Sequence, residues 1–303
     1  MKTILVTGSN GLLGQKIIYG LLARHDVNIV STSRGANRMK AKEGYAYEDL
    51  DITDAARVAE VFEKYRPDAV INTAAFTNVD ACETNQEDCH KLNVDAVATL
   101  VSLCGKYNAH LVHLSTDFVF DGSKGPYREE DVPNPQSYYA QTKYDAEKII
   151  EASDISWAIL RTIIIYGVVD DNSRSNVVLW TKRALENKQT IRAINDQYRA
   201  PTLAEDLADA CIQAALKKAK GLYHVSGREL MCILDIVYQV ADFFRLDKSF
   251  IHPVSSAELN QPAKRPPVTG FVIDKAVKEL NYHPHTFSEG LEVVKKQLEA
   301  VHK

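Results

Sequence analysis

The sequence has no run of basic residues, and its 36 lysines and arginines are outnumbered by 40 acidic residues, for a net charge of −4. Proteins that track a phosphate backbone concentrate positive charge along one face, so this balance argues against nucleic acid as a main partner. No apolar stretch approaches the roughly 20 residues needed to span a bilayer. Met1-Lys2 leads directly into strand-like sequence with no signal-peptide apolar region. The expectation is a cytoplasmic protein with no membrane partner. Cys82, Cys89, Cys104, Cys211 and Cys232 are odd in number, widely spaced and without a C-x-x-C pair. Neither a disulfide framework nor a metal site is therefore expected. Internal repeats and low-complexity tracts are missing too. What remains is a chain of 303 residues, 45% of them hydrophobic. That is enough to bury the core of one large α/β domain, or of two domains sharing a cleft.

The most informative stretch is the first. Thr3-Ile4-Leu5-Val6-Thr7 is a β-branched apolar strand that runs into Gly8-Ser9-Asn10-Gly11-Leu12-Leu13-Gly14 and then into helical sequence with Ile17, Ile18, Leu21 and Leu22. Three glycines at G-x-x-G-x-x-G spacing mean little by themselves, but a strand before and an amphipathic helix after them is the context of a dinucleotide-binding turn. In that reading Gly8 allows the tight turn, Gly11 a close approach to a pyrophosphate, and Gly14 a close helix-to-strand contact.

Val27-Asn28-Ile29-Val30-Ser31-Thr32-Ser33 reads as a second buried strand that ends where a cofactor ribose lies. An NAD site usually places Asp or Glu there, and a basic residue accommodates the 2′-phosphate of NADP. Ser33 and Arg34 stand at this point, with Arg38 nearby, which favours NADP over NAD; the alternative is a solvated loop arginine. Asp51 and Ile52 fall at a further strand end, and Asp54 or Thr53 caps the next helix. The buried strand from Asp68 to Ala75 finishes in Ala74-Ala75, small enough to let an adenosine pass. A helix is expected over about 86–107, where Asn93 is either a kink or a placed polar group.

A strand over His110–Thr116 follows, and a last regular one runs from Trp157 to Ile165. Strands alternating with helices of this length predict a doubly wound parallel sheet, with ligands at the carboxyl ends of the strands. Residues 1–165 are expected to form this dinucleotide-binding domain. Residues 166–303 are expected to form mainly a smaller substrate-binding domain, with about 203–227, including the strand over 221–225, returning to the first.

Within Ser137-Tyr138-Tyr139-Ala140-Gln141-Thr142-Lys143 a helix puts Tyr139 and Lys143 at i and i+4 on one face. A phenol titrates near about 10, and a neighbouring ammonium is expected to favour its phenolate and ready it for acid–base work near neutral pH. The pattern is common by chance. Its position after the Ser115-Thr116 strand end, in a chain that opens with the glycine turn, gives it weight.

With these pieces the sequence resembles the extended short-chain dehydrogenase/reductase superfamily, and within it the dTDP-4-dehydrorhamnose reductase family, over nearly its whole length. The similar stretches are Val6 to Gly14, Asn72 to Asp80, Leu114 to Gly122, Tyr139 to Lys143, Arg161-Thr162, Asn195-Asp196-Gln197, Pro201-Thr202 and Gly221 to His224. The resemblance implies Thr116, Tyr139 and Lys143 as the catalytic set. It implies that Gly8 to Gly14, Ser33, Arg34, Asp51, Ile52, Ala74, Ala75, Phe76 and Asn93 line the cofactor together with Tyr139 and Lys143. Thr116, Asp117, Ile164, Gln197 and Arg199 would meet the sugar-nucleotide.

Two positions depart from the family pattern. Ile164 stands where the family usually has Trp, and Arg199 where it has a small residue. Arg199 either binds a diphosphate or acidic sugar bidentately or pairs with a carboxylate such as Glu205 or Asp206. The implied activity is NADPH-dependent reduction of a nucleotide-linked 4-keto-deoxysugar. A dehydratase or epimerase on the same fold is the nearest rival, but dehydratases usually carry Glu after the Thr-Asp pair, and here Phe118 follows. Relatives of the group also bind methionine adenosyltransferase, so a non-catalytic NADP-binding regulatory subunit is the rival from another class. A homodimer is a further expectation from the resemblance; magnesium is left open, since no ligand cluster is evident.

Overall fold

The computed structural model describes residues 1–171 and 175–301. The apolar runs become strands β1 (Lys2–Thr7), β2 (Val27–Ser33), β3 (Ala46–Asp49), β4 (Ala69–Asn72), β5 (His110–Thr116) and β6 (Trp157–Thr162). With Gly221–His224 they form one seven-stranded sheet in the order Gly221–His224, β6, β5, β4, β1, β2, β3. Every pairing in it is parallel. The chain winds outward from β1 to β3, then restarts on the other side of β1 with β4, so the strand order reverses between β1 and β4. The crevice outside that switch point is where such sheets bind ligands.

Alternation along the strands fills both faces. Ile4, Val6, Ile71 and Val112 pack under α1 (Leu12–Leu22), and Leu5, Val70 and Leu111 pack on the other face. There they meet Val61 and Phe62 of α2 (Ala55–Tyr65). Asp54 caps α2, its Oδ1 accepting from the Arg57 amide at 3.0 Å. The next helical segment holds α3 (Val79–Thr84), α4 (Gln86–His90) and α5 (Ala96–Tyr107), with a π-helical turn over Lys91–Asp95 between α4 and α5. The single helix expected over about 86–107 is thus continuous but carries one wide turn, and Asn93 lies in it. Helix α6 (Tyr138–Glu151) covers the same face, opened by Ser137, whose side chain accepts from the Ala140 amide.

After β6 come α7 (Val177–Glu186), α8 (Ala204–Lys217), α9 (Ile233–Phe244), α10 (Asp274–Leu280) and α11 (Phe287–Val301). Helix α8 lies beside α1, with Leu207, Ala208 and Cys211 in the same core cluster. Helices α7, α9 and α11 form a separate cluster around Tyr166, Val178, Ile236, Val240 and Leu291. The expected strand from Trp157 to Ile165 stops at Thr162. Ile164 has φ +28, a left-handed conformation that strains a β-branched residue, and Ile165–Tyr166 then pairs with Thr202–Leu203 instead. The expected boundary at residue 303 lies outside the described residues. Among the described residues no helix is long and apolar enough to cross a membrane.

Candidate active site

A cleft of about 670 Å³ opens at the carboxyl ends of β1, β4 and β5. One wall is the glycine turn. Gly8 has φ +71, and a Cβ there would lie 2.8 Å from the Ala74 amide nitrogen. A Cβ on Gly14 would lie 2.4 Å from the Gly8 carbonyl oxygen, so the helix can sit this close to the strand only with glycine at that position. Helix α1 starts at this wall without a side-chain cap and without an acidic residue in its first turn. Its first amides are therefore free to meet an anion. Ser9 lies behind the turn, its hydroxyl donating to the Thr32 carbonyl at 3.1 Å. Asn10 reaches across, donating to the Ala36 carbonyl at 3.0 Å and accepting from the Arg38 amide at 2.9 Å, which holds the loop after β2 against the turn.

That loop brings Ser33, Arg34 and Arg38 to the cleft, facing Asp51 and Ile52. The Arg34 side chain is 73% exposed, and its Nη1 lies 3.7 Å from Asp51 Oδ2. This loose contact leaves most of the guanidinium open. Ala74 and Ala75 continue the wall after β4. Phe76 and Asn93 stand just off it. Asn93 Oδ1 accepts from the Phe76 amide at 2.8 Å, and its Nδ2 donates to the Phe76 carbonyl at 3.2 Å and to Thr142 Oγ1 at 3.1 Å. Both readings of Asn93 are thus met: it sits in a distorted turn and is a placed polar group, whose bonds hold the segment after β4 onto α6.

Thr116, Tyr139 and Lys143 share the opposite wall. Lys143 is 3% exposed; its Nζ donates to the Leu114 carbonyl at 2.7 Å and meets His113 Nε2 at 3.2 Å. Burial pushes its ammonium down to about 8, against the pull of Glu147 one turn along the helix. Tyr139 is 9% exposed, and burial pushes its phenol up; the hydrogen bond with Thr116 opposes this and the Asp117 carboxylate adds to it. The direction is opposite to the one expected from the lysine alone. The Lys143 head group is engaged with β5, and desolvation of the phenolate outweighs what it contributes. A phenol held neutral is a proton donor.

Asp117 is fully buried in the floor. It accepts from Thr116 Oγ1 at 3.0 Å and from the Thr269 hydroxyl, and burial raises its carboxyl despite the Arg199 guanidinium. Arg199 Nε lies 3.7 Å from Asp117 Oδ2. Its other nitrogens donate to the carbonyls of Pro266 at 2.7 Å, Tyr198 at 2.8 Å and Pro267 at 3.3 Å, and to Gln197 Oε1 at 3.4 Å. Arg199 therefore meets the cleft as a clamp on the 266–267 backbone, paired with Asp117 and with neither Glu205 nor Asp206. Gln197 stands behind it, away from the wall. Ile164 lines the cleft, and Thr202 fixes its strained backbone, its amide donating to the Ile164 carbonyl at 3.3 Å and its Oγ1 to the Ile163 carbonyl at 2.7 Å.

Sequence reasoning missed Asn72 and His113, both 1% exposed and bonded behind Lys143. The available signal was a polar residue inside an otherwise apolar buried strand. It also missed Asp80, which binds Arg265 through two bonds of 3.0 and 2.7 Å and fastens the 261–267 loop over α3. No local pattern links residues so far apart in the chain. Among the described residues no group of three His, Cys, Asp or Glu side chains is arranged to hold a metal.

The family described as RmlD substrate binding domain matches residues 1–300. Methionine adenosyltransferase 2 subunit beta of Pongo abelii is 31% identical over 261 residues, covering 84% of this chain and 76% of that protein. A solved dTDP-4-dehydrorhamnose reductase from Clostridium acetobutylicum ATCC 824 superposes with a TM-score of 0.85 over 98% of this chain and 99% of its own, at 27% identity. Another, from Bacillus anthracis str. Ames in complex with NADP, superposes with a TM-score of 0.82 over 98% of this chain and 100% of its own, at 24% identity. At that identity the likeness speaks for the fold.

Proposed function

The chain belongs to the RmlD substrate binding domain family, and from that premise we propose that it is an NADPH-dependent reductase of a nucleotide-linked 4-keto-deoxysugar. The observation that carries the reading is the shared cleft, with the glycine turn on one wall and Thr116, Tyr139 and Lys143 on the other. In this reading residues 1–165 with about 203–227 bind the cofactor, and most of the remainder binds the sugar-nucleotide. The uncapped start of α1 and the closely packed glycines suit a pyrophosphate, Arg34 and Arg38 a 2′-phosphate, and Ala74 and Ala75 an adenosine. When bound, NADPH supplies the hydride.

The protein's own part is proton delivery. Tyr139, held neutral by burial, donates its phenolic proton to the alkoxide oxygen that develops on the sugar. Thr116 gives its one hydroxyl hydrogen to Asp117 and turns it to orient the same oxygen when the sugar is bound. Phe118 packs edge-on against Tyr139, with ring centroids 6.1 Å apart, so the position after the Thr-Asp pair offers no carboxylate base for eliminating water. Turnover of NADPH against a panel of dTDP-, GDP- and CDP-linked 4-keto sugars tests the reading. Failure with every member would remove it.

Two expected outcomes follow from the cleft walls. Arg34→Ala weakens NADPH binding about tenfold, the scale of one lost charge-assisted contact, and leaves NADH binding unchanged; fluorescence titration of both cofactors measures it. Equal losses for the two would place Arg34 outside the 2′-phosphate site. Arg199→Ala raises KM for the sugar-nucleotide and leaves KM for NADPH unchanged, because the loosened 266–267 backbone and Asp117 border the sugar side. A change confined to NADPH would sink that assignment.

The second reading is a non-catalytic subunit. It is favoured by the 31% identity to a protein named as a subunit of methionine adenosyltransferase 2, and the same turnover assay separates the two.

A further inference from the structure

Three polar side chains lie in one row across the middle of the sheet. Thr7 of β1 is in register with Asn72 of β4, and Asn72 with His113 of β5. All three are 1% exposed, on the face that α6 covers. Thr7 Oγ1 and Asn72 Oδ1 are 2.6 Å apart, Asn72 Nδ2 and His113 Nδ1 3.1 Å, and His113 Nε2 and Lys143 Nζ 3.2 Å. The row therefore begins at the residue before Gly8 and ends on the lysine head group. Resting on the reading of Lys143 as part of the reductive site, we infer that His113 is a positioning residue: its Nε2 accepts from the Lys143 ammonium, and Asn72, by turning its amide, supplies the acceptor that the matching Nδ1–H tautomer needs.

Donor and acceptor counting carries the inference. A neutral imidazole has one N–H and one lone pair. Burial, followed by the neighbouring Lys143 charge, pushes His113 well below the ordinary histidine range, so the ring is neutral. An ammonium has only donors to offer, so Nε2 must then be the lone pair and Nδ1 must carry the hydrogen. The Nδ1–H needs an acceptor, which Asn72 supplies when its amide is turned to present the oxygen, and the Asn72 N–H then falls on Thr7 Oγ1. An amide half-turn exchanges oxygen and nitrogen without moving other atoms. With the amide nitrogen facing Nδ1 instead, the row runs the other way, with Nε2–H donating to a neutral amine. The row thus has two polarities, each matched to one protonation state of Lys143. A hydrogen bond from an ion is about twice as strong as one between neutral groups, so losing the imidazole costs the ammonium more than the amine.

The other groups facing Lys143 are accounted for. Glu147 lies on its own helix, tied to Arg161 of β6, and Cys89 of α4 acts on it weakly; both favour the ammonium. Tyr139 stands one turn before it, with Asp117 beyond. His113 is the neighbour from β5 whose removal leaves all of these in place.

The test follows the lysine itself. Protein carrying 13C at the lysine ε carbons is titrated from neutral to alkaline pH, and the Lys143 signal is the one missing from Lys143→Arg. His113→Met and His113→Phe both fill the space without a ring-nitrogen acceptor, so a folding failure in one leaves the other. His113→Gln places an acceptor oxygen near the Nε2 position. The expected result is a Lys143 midpoint lower by about one pH unit in the Met and Phe variants, restored in Gln, with the alkaline limb of NADPH turnover moving the same way. An unchanged or higher midpoint in Met and Phe, or a Gln variant that behaves like them, overturns the inference. The carbon signal reads Lys143 in the protein alone, so it decides this point even where no sugar-nucleotide is reduced; absence of NADPH turnover in the wild type counts against the proposed function only.

Discussion

Tyr139→Phe lowers kcat for reduction by about 100-fold or more, the usual cost of losing a general acid, and leaves NADPH affinity close to that of the wild type. The substitution removes one hydroxyl and keeps the ring, which packs edge-on against Phe118, so the cleft wall is preserved. What disappears is the phenol that lines the cleft, whose proton burial holds more firmly than in a free tyrosine. Lys143 already spends two of its three N–H donors on the Leu114 carbonyl and His113. Steady-state kinetics with separate cofactor titration measure both halves of the expectation. A variant that keeps more than about a tenth of wild-type kcat would mean that another group protonates the alkoxide, with Thr116 the first to examine.

The largest expected effect on stability comes from Arg161→Ala. Arg161 Nε and Nη2 donate to the two oxygens of Glu147 at 2.9 and 2.6 Å, with side-chain exposures of 3% and 0%. The guanidinium also lies 5.0 Å from the Phe120 ring centroid. Removing one partner strands a buried carboxylate, at a cost of about 3–5 kcal/mol. For a chain of this size that lowers the melting temperature by roughly 5–8 °C. Because Glu147 lies one turn beyond Lys143 on α6, the damage reaches the cleft wall as well. Replacing both partners together, as Arg161→Met with Glu147→Leu, should avoid much of the loss, since an apolar pair of similar volume removes the desolvation penalty altogether. Thermal denaturation of the single and double variants checks both. A loss below about 1 kcal/mol for Arg161→Ala, the value of an exposed pair, would mean that water reaches the carboxylate.

Much of the sheet was legible because its signals are local. The glycine turn needs its residues within one short stretch, and the strand read over His110–Thr116 is the strand observed, since each end is marked by a change from apolar to polar sequence. The shared wall of Thr116, Tyr139 and Lys143 was legible for a related reason: helical spacing places the last two, and a strand end places the first. What stayed hidden depends on partners distant in sequence. The raised phenol of Tyr139 follows from how deeply the whole wall is buried, which no i, i+4 rule contains. Arg199 reads as a free guanidinium until the Pro266 and Pro267 carbonyls are seen beside it. Asn72 and His113 look like blemishes in apolar strands until their register across three strands is known. Ile164 gives no hint of a left-handed backbone, because an isoleucine is the last residue that conformation would choose.

The wide turn at Lys91–Asp95 bears on how such a chain can be inherited. It holds one residue more than a regular helix would use, and that residue aims Asn93 at the backbone of Phe76 while leaving Val97, Leu100 and Cys104 of α5 in the core. A one-codon deletion here would close the turn and rotate one side of the helix against the other by about 100°. Either Asn93 would swing away from Phe76 and Thr142, or the apolar face of α5 would leave the sheet. A change in residue count cannot be absorbed within this helix, so between Cys89 and Leu100 descent must preserve length as well as the Asn93 side chain.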